Sequence, residues 1–225
     1  MQPYSIGMRT ITLLCLTMLS GCAVVQPPGW SLRREPPMVI APTPHTVSVG
    51  PPRSWDLPDG RVVRLDVDTV AVGTFATLQR ADIEFTIAFR DFPSDRISCQ
   101  TDPEIAGFPE TRFGCWSEGL EFWLTPGGEC AQSFQTRLES DCWNGSLMID
   151  GRLISLVRGR MERSELPVGQ IAWVSEDVPL LAADTRNEHQ LRVYDVGAEM
   201  SDELRNQLLL LTVAIYYFER ATDLD

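Results

Sequence analysis

An apolar run near the C-terminus constrains the fold of this chain more than any other feature. Every residue of Leu208–Phe218 is apolar or aromatic except Thr212. A helix that is apolar on every side is buried on every side, and this run is well short of the roughly 20 residues that span a bilayer. The sequence therefore predicts a helix over residues 202–220 that is enclosed by protein. Ser201 as the N-cap and Arg220 in the last turn suit the two ends of such a helix.

Short β-rich segments separated by turn signals occupy most of the chain before this helix. Residues 82–89 alternate between apolar and polar side chains, which is the pattern of a half-buried strand. The dipeptide Asp150-Gly151 favours a type I′ turn and predicts a hairpin in which Leu147 faces Ile154. Asn144-Gly145 is a second turn candidate.

Roughly ten or eleven such segments and one fully apolar helix predict a mainly β protein. Its expected architecture is an antiparallel closed barrel of about 11–12 strands around the central C-terminal helix. Closure also removes the exposed edges that many antiparallel strands would otherwise leave.

The N-terminal residues have the pattern of a targeting segment. The apolar stretch Ile11–Leu19 leads into Leu19-Ser-Gly-Cys22. Small residues at this place suit a signal peptidase, and the cysteine that follows them resembles the bacterial lipobox. The resemblance implies a signal peptide over residues 1–21, cleavage between Gly21 and Cys22, and a lipid anchor on Cys22.

Two other interpretations of this segment stay open: an ordinary secretory signal with a chance cysteine, and a retained membrane anchor. The lipoprotein sorting pattern, with Ala23 in place of Asp, implies the outer membrane, on its periplasmic side. Burial of several acyl chains, at about 0.8 kcal/mol for each methylene, would make the anchoring stable.

Residues 22–54 contain eight of the sixteen prolines of the chain. Proline pairs every few residues disfavour both helices and inner strands. The segment is therefore predicted to be a lipidated, extended tether that rises about 3.1 Å per residue. The globular barrel domain is expected over residues 55–225.

Four cysteines fall within this predicted domain: Cys99, Cys115, Cys130 and Cys142. An even number of cysteines in an exported domain favours disulfides. The preferred pairing is Cys99–Cys115 and Cys130–Cys142, because each bond then closes a short loop between neighbouring strands. A zinc site is the alternative, but no Cys-x-x-Cys pair is present and the chain has only two histidines. No metal and no cofactor are predicted.

The charge of the predicted domain limits its partners. All basic residues of the chain are arginines, and residues 55–225 hold 15 of them against 30 acidic residues. A domain this acidic repels nucleic acid and anionic lipid surfaces. Basic or neutral partners, or partners bridged by divalent cations, are expected instead.

Three segments follow one another in the last part of the chain: Pro167–Val174, Leu191–Val196 and Leu208–Glu219. In type and order they resemble the end of the tubby C-terminal-like superfamily, which includes the plant LURP-one-related proteins and the phospholipid scramblases. The resemblance implies a barrel of about twelve strands around a central helix. It does not extend to the phosphoinositide site of tubby-type proteins, because that site uses basic surface residues and this domain is acidic.

No catalytic residue is predicted. A nucleophile needs a base such as histidine, and the only histidines are His45 in the tether and His189 in a polar loop. Asp184, Glu188 and His189 could form a cluster, but a solvated loop is the favoured interpretation.

Two further groups have both a functional and a structural interpretation. Asp66 and Asp68 could act as paired carboxylates on one strand, although alternating solvent-facing charges explain them equally well. The aromatic group Trp116, Phe122, Trp123 and Trp143 could form a ligand platform, but core packing over a disulfide is favoured.

These patterns together predict a non-catalytic, lipid-anchored envelope protein that binds or scaffolds another envelope protein. One subclass is an inhibitor or immunity-type protein that uses its acidic surface. A phospholipid-binding protein of scramblase-like ancestry is the second hypothesis, and a hydrolase with unrecognised carboxylates is the third.

Overall fold

The computed structural model describes residues 24–43, 52–75, 78–102, 112–126, 143–161, 167–187 and 189–222. The predicted signal peptide, the cleavage site at Gly21 and Cys22, and two of the predicted disulfide cysteines, Cys130 and Cys142, lie outside the described residues.

The predicted C-terminal helix is confirmed as α1, which runs Asp202–Thr222. The hydroxyl oxygen of Ser201 accepts a hydrogen bond from the backbone N–H of Leu204 at 3.2 Å, so the predicted N-cap is present. All side chains of Leu208–Phe218 are at most 2% exposed. The helix is therefore buried on every side, as its sequence predicts.

The described residues form thirteen strands, with these bounds: β1 Val24–Val25, β2 Met38–Pro42, β3 Ser54–Asp56, β4 Val62–Phe75, β5 Leu78–Phe89, β6 Phe92–Asp102, β7 Arg112–Ser117, β8 Leu120–Pro126, β9 Trp143–Ile149, β10 Arg152–Met161, β11 Pro167–Ser175, β12 Val178–Asp184 and β13 Leu191–Asp195.

Strands β2 to β13 close into the predicted antiparallel barrel. Each strand pairs with its neighbour in chain order, and β13 returns to pair with β2, where Leu191 lies opposite Ile40. The wall therefore has twelve strands, and β1 is added outside it at the end of β10. Closure removes the two edges that an open sheet of these strands would have, although β3 pairs only with Val62, Val63 and Arg64 at the start of β4.

The helix α1 occupies the lumen of this barrel. Tyr217 packs against Phe85 of β5, with ring centroids 4.9 Å apart. Thr212 accepts a hydrogen bond at 2.9 Å from the indole of Trp173 on β11. Strands β5 and β11 are half the circumference apart in the strand order. A single helix contacts both, so it lies between opposite walls.

Of the two turns predicted at Asp150-Gly151 and Asn144-Gly145, only the first is present. Asp150 and Gly151 both have positive φ, at 47° and 76°, and Leu147 pairs with Ile154, which confirms the predicted hairpin of β9 and β10. The turn predicted at Asn144-Gly145 is wrong, because Gly145 lies within β9. A Cβ there would fall 2.7 Å from that of Leu156, so close packing rather than a turn explains this glycine.

The tether predicted for residues 22–54 is wrong for the part that is described. Val24–Val25 pairs with β10, and β2 stands in the barrel wall between β13 and β3. Pro37 precedes β2 and Pro42 is its last residue, positions where proline costs the strand few ladder hydrogen bonds. The globular domain therefore begins well before residue 55.

Residues 24–37, which we call the N-terminal strap, cover part of the outer wall at β12 and β13. Trp30 is buried and packs edge-on against Tyr194, with ring centroids 5.5 Å apart. The guanidinium of Arg33 lies 5.0 Å from the centroid of the Trp30 ring and 5.6 Å from that of Tyr194. The strap is therefore packed onto the barrel rather than extended into solvent.

Candidate functional site

The interior of the barrel contains the predicted disulfide. Cys99 of β6 and Cys115 of β7 are register partners with their Cα atoms 4.1 Å apart, and both are buried. The predicted Cys99–Cys115 bond is thus confirmed, and it links two neighbouring strands from the inside. Because α1 and inward side chains fill the lumen, the surface available to a partner is on the outer wall.

One row of residues on the outer wall exposes large apolar side chains beside this disulfide. In register across β6 to β10 the row consists of Ser98, Trp116, Glu121, Met148 and Leu153. Trp116 is 37% exposed, Met148 45% and Leu153 56%. Grouped apolar side chains on the surface of a folded protein mark contacts with other molecules.

Trp123 completes this surface from β8. It pairs with Gly114, and a Cβ at that glycine would fall 2.6 Å from Cζ3 of the indole, so the ring packs against bare backbone. The indole Nε1–H donates a hydrogen bond of 2.7 Å to Oε1 of Glu121. The ring and the carboxylate fix each other, so this part of the surface is ordered before any partner arrives. We call Trp116, Trp123, Met148 and Leu153 the Trp116 face.

The aromatic group that the sequence predicts as core packing is divided by the barrel wall. Phe122 is buried and packs edge-on against Trp173, with ring centroids 5.5 Å apart, so the prediction holds for this residue. It is wrong for Trp116, which is exposed, and Trp123 also lies on the outer wall. The side chain of Trp143 lies outside what the structure describes.

A signal for the Trp116 face is present in the sequence. Successive residues of a strand point to opposite sides of the sheet. Trp116 directly follows Cys115, and Trp123 directly follows Phe122. A disulfide that faces inward therefore places Trp116 on the outside.

Asp66 and Asp68 lie on the solvent side of the barrel wall, which agrees with the structural interpretation. Asp66 forms ion pairs with Arg64 at 3.3 Å and with Arg96 at 3.1 Å. Asp68 is exposed at a β-bulge that follows Val67. Within the described ranges, no group of three or more His, Cys, Asp and Glu side chains could hold a metal ion.

Described side chains of the loop that contains His189 make hydrogen bonds within the loop. His189 is exposed, and its backbone N–H donates to Oδ1 of Asn187 at 2.8 Å. The carboxylate of Asp184 accepts hydrogen bonds from Nε and the backbone N–H of Arg186, at 2.8 and 3.1 Å. Burial would raise the pKa of Asp184, but these bonds and the nearby positive charges hold the pKa below its usual value. Glu188 lies outside the described residues.

The same loop fixes the C-terminal end of α1. Arg220 donates to the carbonyl oxygen of Thr185 at 2.9 Å, and the hydroxyl of Tyr216 donates to the carbonyl oxygen of Asn187 at 2.6 Å. The neighbouring Glu219 forms an ion pair of 2.7 Å with Arg158 of β10. The side chain of Glu219 is 8% exposed and that of Arg158 is 7% exposed. Pairing is what makes such buried charges tolerable.

These features define a helix-filled, closed β-barrel with an exposed aromatic and aliphatic row on its outer wall. Comparison with known proteins gives no match: no protein-family model, no curated protein and no solved structure matches this chain. None of the described helices combines the length and the apolar character that crossing a bilayer requires.

Proposed function

We propose that this chain is a lipid-anchored protein of the bacterial outer membrane that binds another envelope protein from the periplasmic side and is not an enzyme. The proposed anchor is the lipid on Cys22, exposed by removal of residues 1–21. The observation that carries the binding role is the row of exposed Trp116, Met148 and Leu153 on a closed barrel wall.

The composition of the Trp116 face favours a protein partner. Tryptophan and methionine are enriched in the buried centres of protein interfaces, and tryptophan is prominent among the residues that dominate binding energy. Glu121 lies between Trp116 and Met148 and already accepts a hydrogen bond from Trp123. Its carboxylate therefore keeps a partner when the face is covered, which lowers the cost of burying it.

The charge of the chain favours a partner that is basic or neutral. The formal net charge is −12 at pH 7, and long-range attraction between opposite charges speeds association in a salt-dependent way. An inhibitor or immunity-type role against a basic protein fits this charge.

The first test is site-specific photo-crosslinking in intact cells. A photoreactive amino acid replaces Leu153 on the Trp116 face or, as a matched control, Val70, an exposed apolar residue of β4. We expect a discrete protein adduct from position 153 and none from position 70. Equal adducts from the two positions, or none from either, would count against this face as the binding surface.

The second test uses the partner that the crosslink identifies. Removal of a dominant interface side chain costs about 2 kcal/mol or more, which is roughly a 30-fold increase in Kd. We expect Trp116→Ala to weaken binding by about this factor and Val70→Ala to leave it unchanged, as measured by calorimetry with purified proteins.

The alternative function is that of a phospholipid-binding protein, which the resemblance to the tubby C-terminal-like superfamily supports. A barrel of twelve strands around a helix is the architecture that this resemblance implies, while membership of the superfamily stays a prediction. Lipid adducts instead of protein adducts from position 153 would favour this alternative.

A further inference from the structure

The described chain begins close to the predicted anchor and is already part of the fold there. Val24 pairs with Met161 and Val25 with Arg160, so β1 lies at the end of β10. Cys22 precedes Val24 by two residues. Even a fully extended chain gains at most about 3.6 Å per residue, so Cys22 can be no more than about 7 Å from the first residue of β1.

The part of the N-terminal strap after β1 adds no free length. Gly29 lies against Pro179 of β12 so closely that a Cβ would be 2.3 Å from the proline Cβ. Trp30 is buried against Tyr194, and the backbone N–H of Arg34 donates to the carbonyl oxygen of Asp195 at 2.7 Å. Between Val24 and β2, the chain is therefore held on the barrel at several points.

We infer that the barrel is held directly against the lipid bilayer, with the β1 end of β10 as its membrane-facing surface. This inference rests on the proposed lipidation of Cys22. Val24 and Val25 are both exposed, so apolar side chains next to the anchor are free to enter the interfacial region of the bilayer. A lipid on Cys22 leaves no spacer that would let the barrel move away.

The Trp116 face lies far from this end of β10. Leu153 belongs to β10, as does Arg160, the partner of Val25. Seven residues separate these two positions, which corresponds to about 23 Å along a strand. A partner would therefore meet the Trp116 face from the aqueous side.

The test places the mature, lipidated protein in liposomes whose lipid headgroups carry nitroxide quenchers. A fluorescent amino acid replaces either Val25 or Leu153, both of which are exposed. We expect loss of fluorescence from position 25 and none from position 153. Unquenched fluorescence at position 25, in protein whose Cys22 is lipidated by mass spectrometry, would overturn the inference.

A variant with an added spacer provides the control. A flexible insertion of about 15 Gly and Ser residues between Ala23 and Val24 has a mean end-to-end distance of about 20 Å. We expect this insertion to relieve the quenching at position 25. Quenching that persists at full strength would show that the anchor does not set the distance and would also overturn the inference. Absence of lipid on Cys22 is a separate result, which contradicts the proposed function itself.

Discussion

Thr212 shows how a single polar residue serves an apolar helix. Its hydroxyl donates to the carbonyl oxygen of Leu208 at 2.6 Å and accepts from the indole Nε1–H of Trp173 at 2.9 Å. The N–H of a buried tryptophan usually finds a hydrogen-bond partner, and α1 supplies the partner for that of Trp173. The one exception in the apolar run thus helps to fix the helix against β11.

We expect Thr212→Val to destabilise the fold, because valine keeps the shape of threonine and removes the acceptor of the Trp173 N–H. An unsatisfied buried donor costs about 1–3 kcal/mol. Thr212→Ser is the control, since it keeps the hydroxyl and loses one methyl group, worth about 0.8 kcal/mol as transfer energy. Urea denaturation measures both, and equal stability of the valine variant and the wild type would refute the assigned role.

Among the structural elements, β7 carries Trp116 and is joined to β6 by the Cys99–Cys115 bond, whose two cysteines are 16 residues apart in the sequence. A disulfide around a loop of this length contributes about 3 kcal/mol in the chain-entropy account. We expect the double variant Cys99→Ala with Cys115→Ala to lose about that much free energy of unfolding. Reduction of the wild type under denaturing conditions, followed by refolding, should cost at least as much, because it also breaks the predicted Cys130–Cys142 bond. An unchanged midpoint of denaturation in both experiments would contradict this.

The loop after β12 makes stability depend on pH through Asp184. Because folding lowers the pKa of this carboxyl, the ionised form stabilises the protein at pH above its unfolded-state value of about 4. This contribution is lost as the pH falls through the folded-state pKa. We expect Asp184→Asn to be less stable than the wild type at pH 7, with a difference that shrinks in acid. Asp68→Asn, the same change at an exposed residue, is the control and should leave the free energy of unfolding at pH 7 nearly unchanged.

The strength of a local signal decides which elements can be predicted from sequence. The helix α1 and the β9–β10 hairpin are predicted well, because an all-apolar run and an Asp-Gly turn each have few alternatives. Strand β12 is missed, since Val178–Asp184 does not alternate: its last five residues are all buried, which requires cover on both faces. The strap that helps to cover it is distant in sequence.

Strand β2 and the Trp116 face cannot be predicted from local sequence, because both depend on pairing between residues that are distant in the chain. The apolar residues of β2 are set among prolines, which predict a tether, and only pairing with β13 and β3 makes them a strand. For the Trp116 face, the disulfide and the alternation of side chains give the direction of Trp116. The register that brings Met148 and Leu153 into the same row comes from the closed sheet.

For the whole molecule, the distribution between membrane and solution should depend on one residue. An acidic protein gains little from an anionic lipid surface, so we expect Cys22→Ala to move the protein from the membrane fraction to the aqueous fraction. Cys15→Ala, which changes the other N-terminal cysteine within the predicted signal peptide, is the matched control and should leave the distribution unchanged. Cell fractionation with labelled fatty acid measures both. Membrane retention of a Cys22→Ala protein that mass spectrometry shows to lack residues 1–21 would argue against the lipid anchor.

The pairing of β2 with β13 also sets the order in which the molecule can assemble. The barrel closes where Ile40 of β2 pairs with Leu191 of β13. The helix that fills the lumen comes only after β13 in the chain. A growing polypeptide can form the local hairpins early, but the barrel wall cannot close and its lumen cannot be filled until β13 and α1 have been synthesised. Contacts between such distant residues slow folding, so the barrel stays open until β13 and α1 are available.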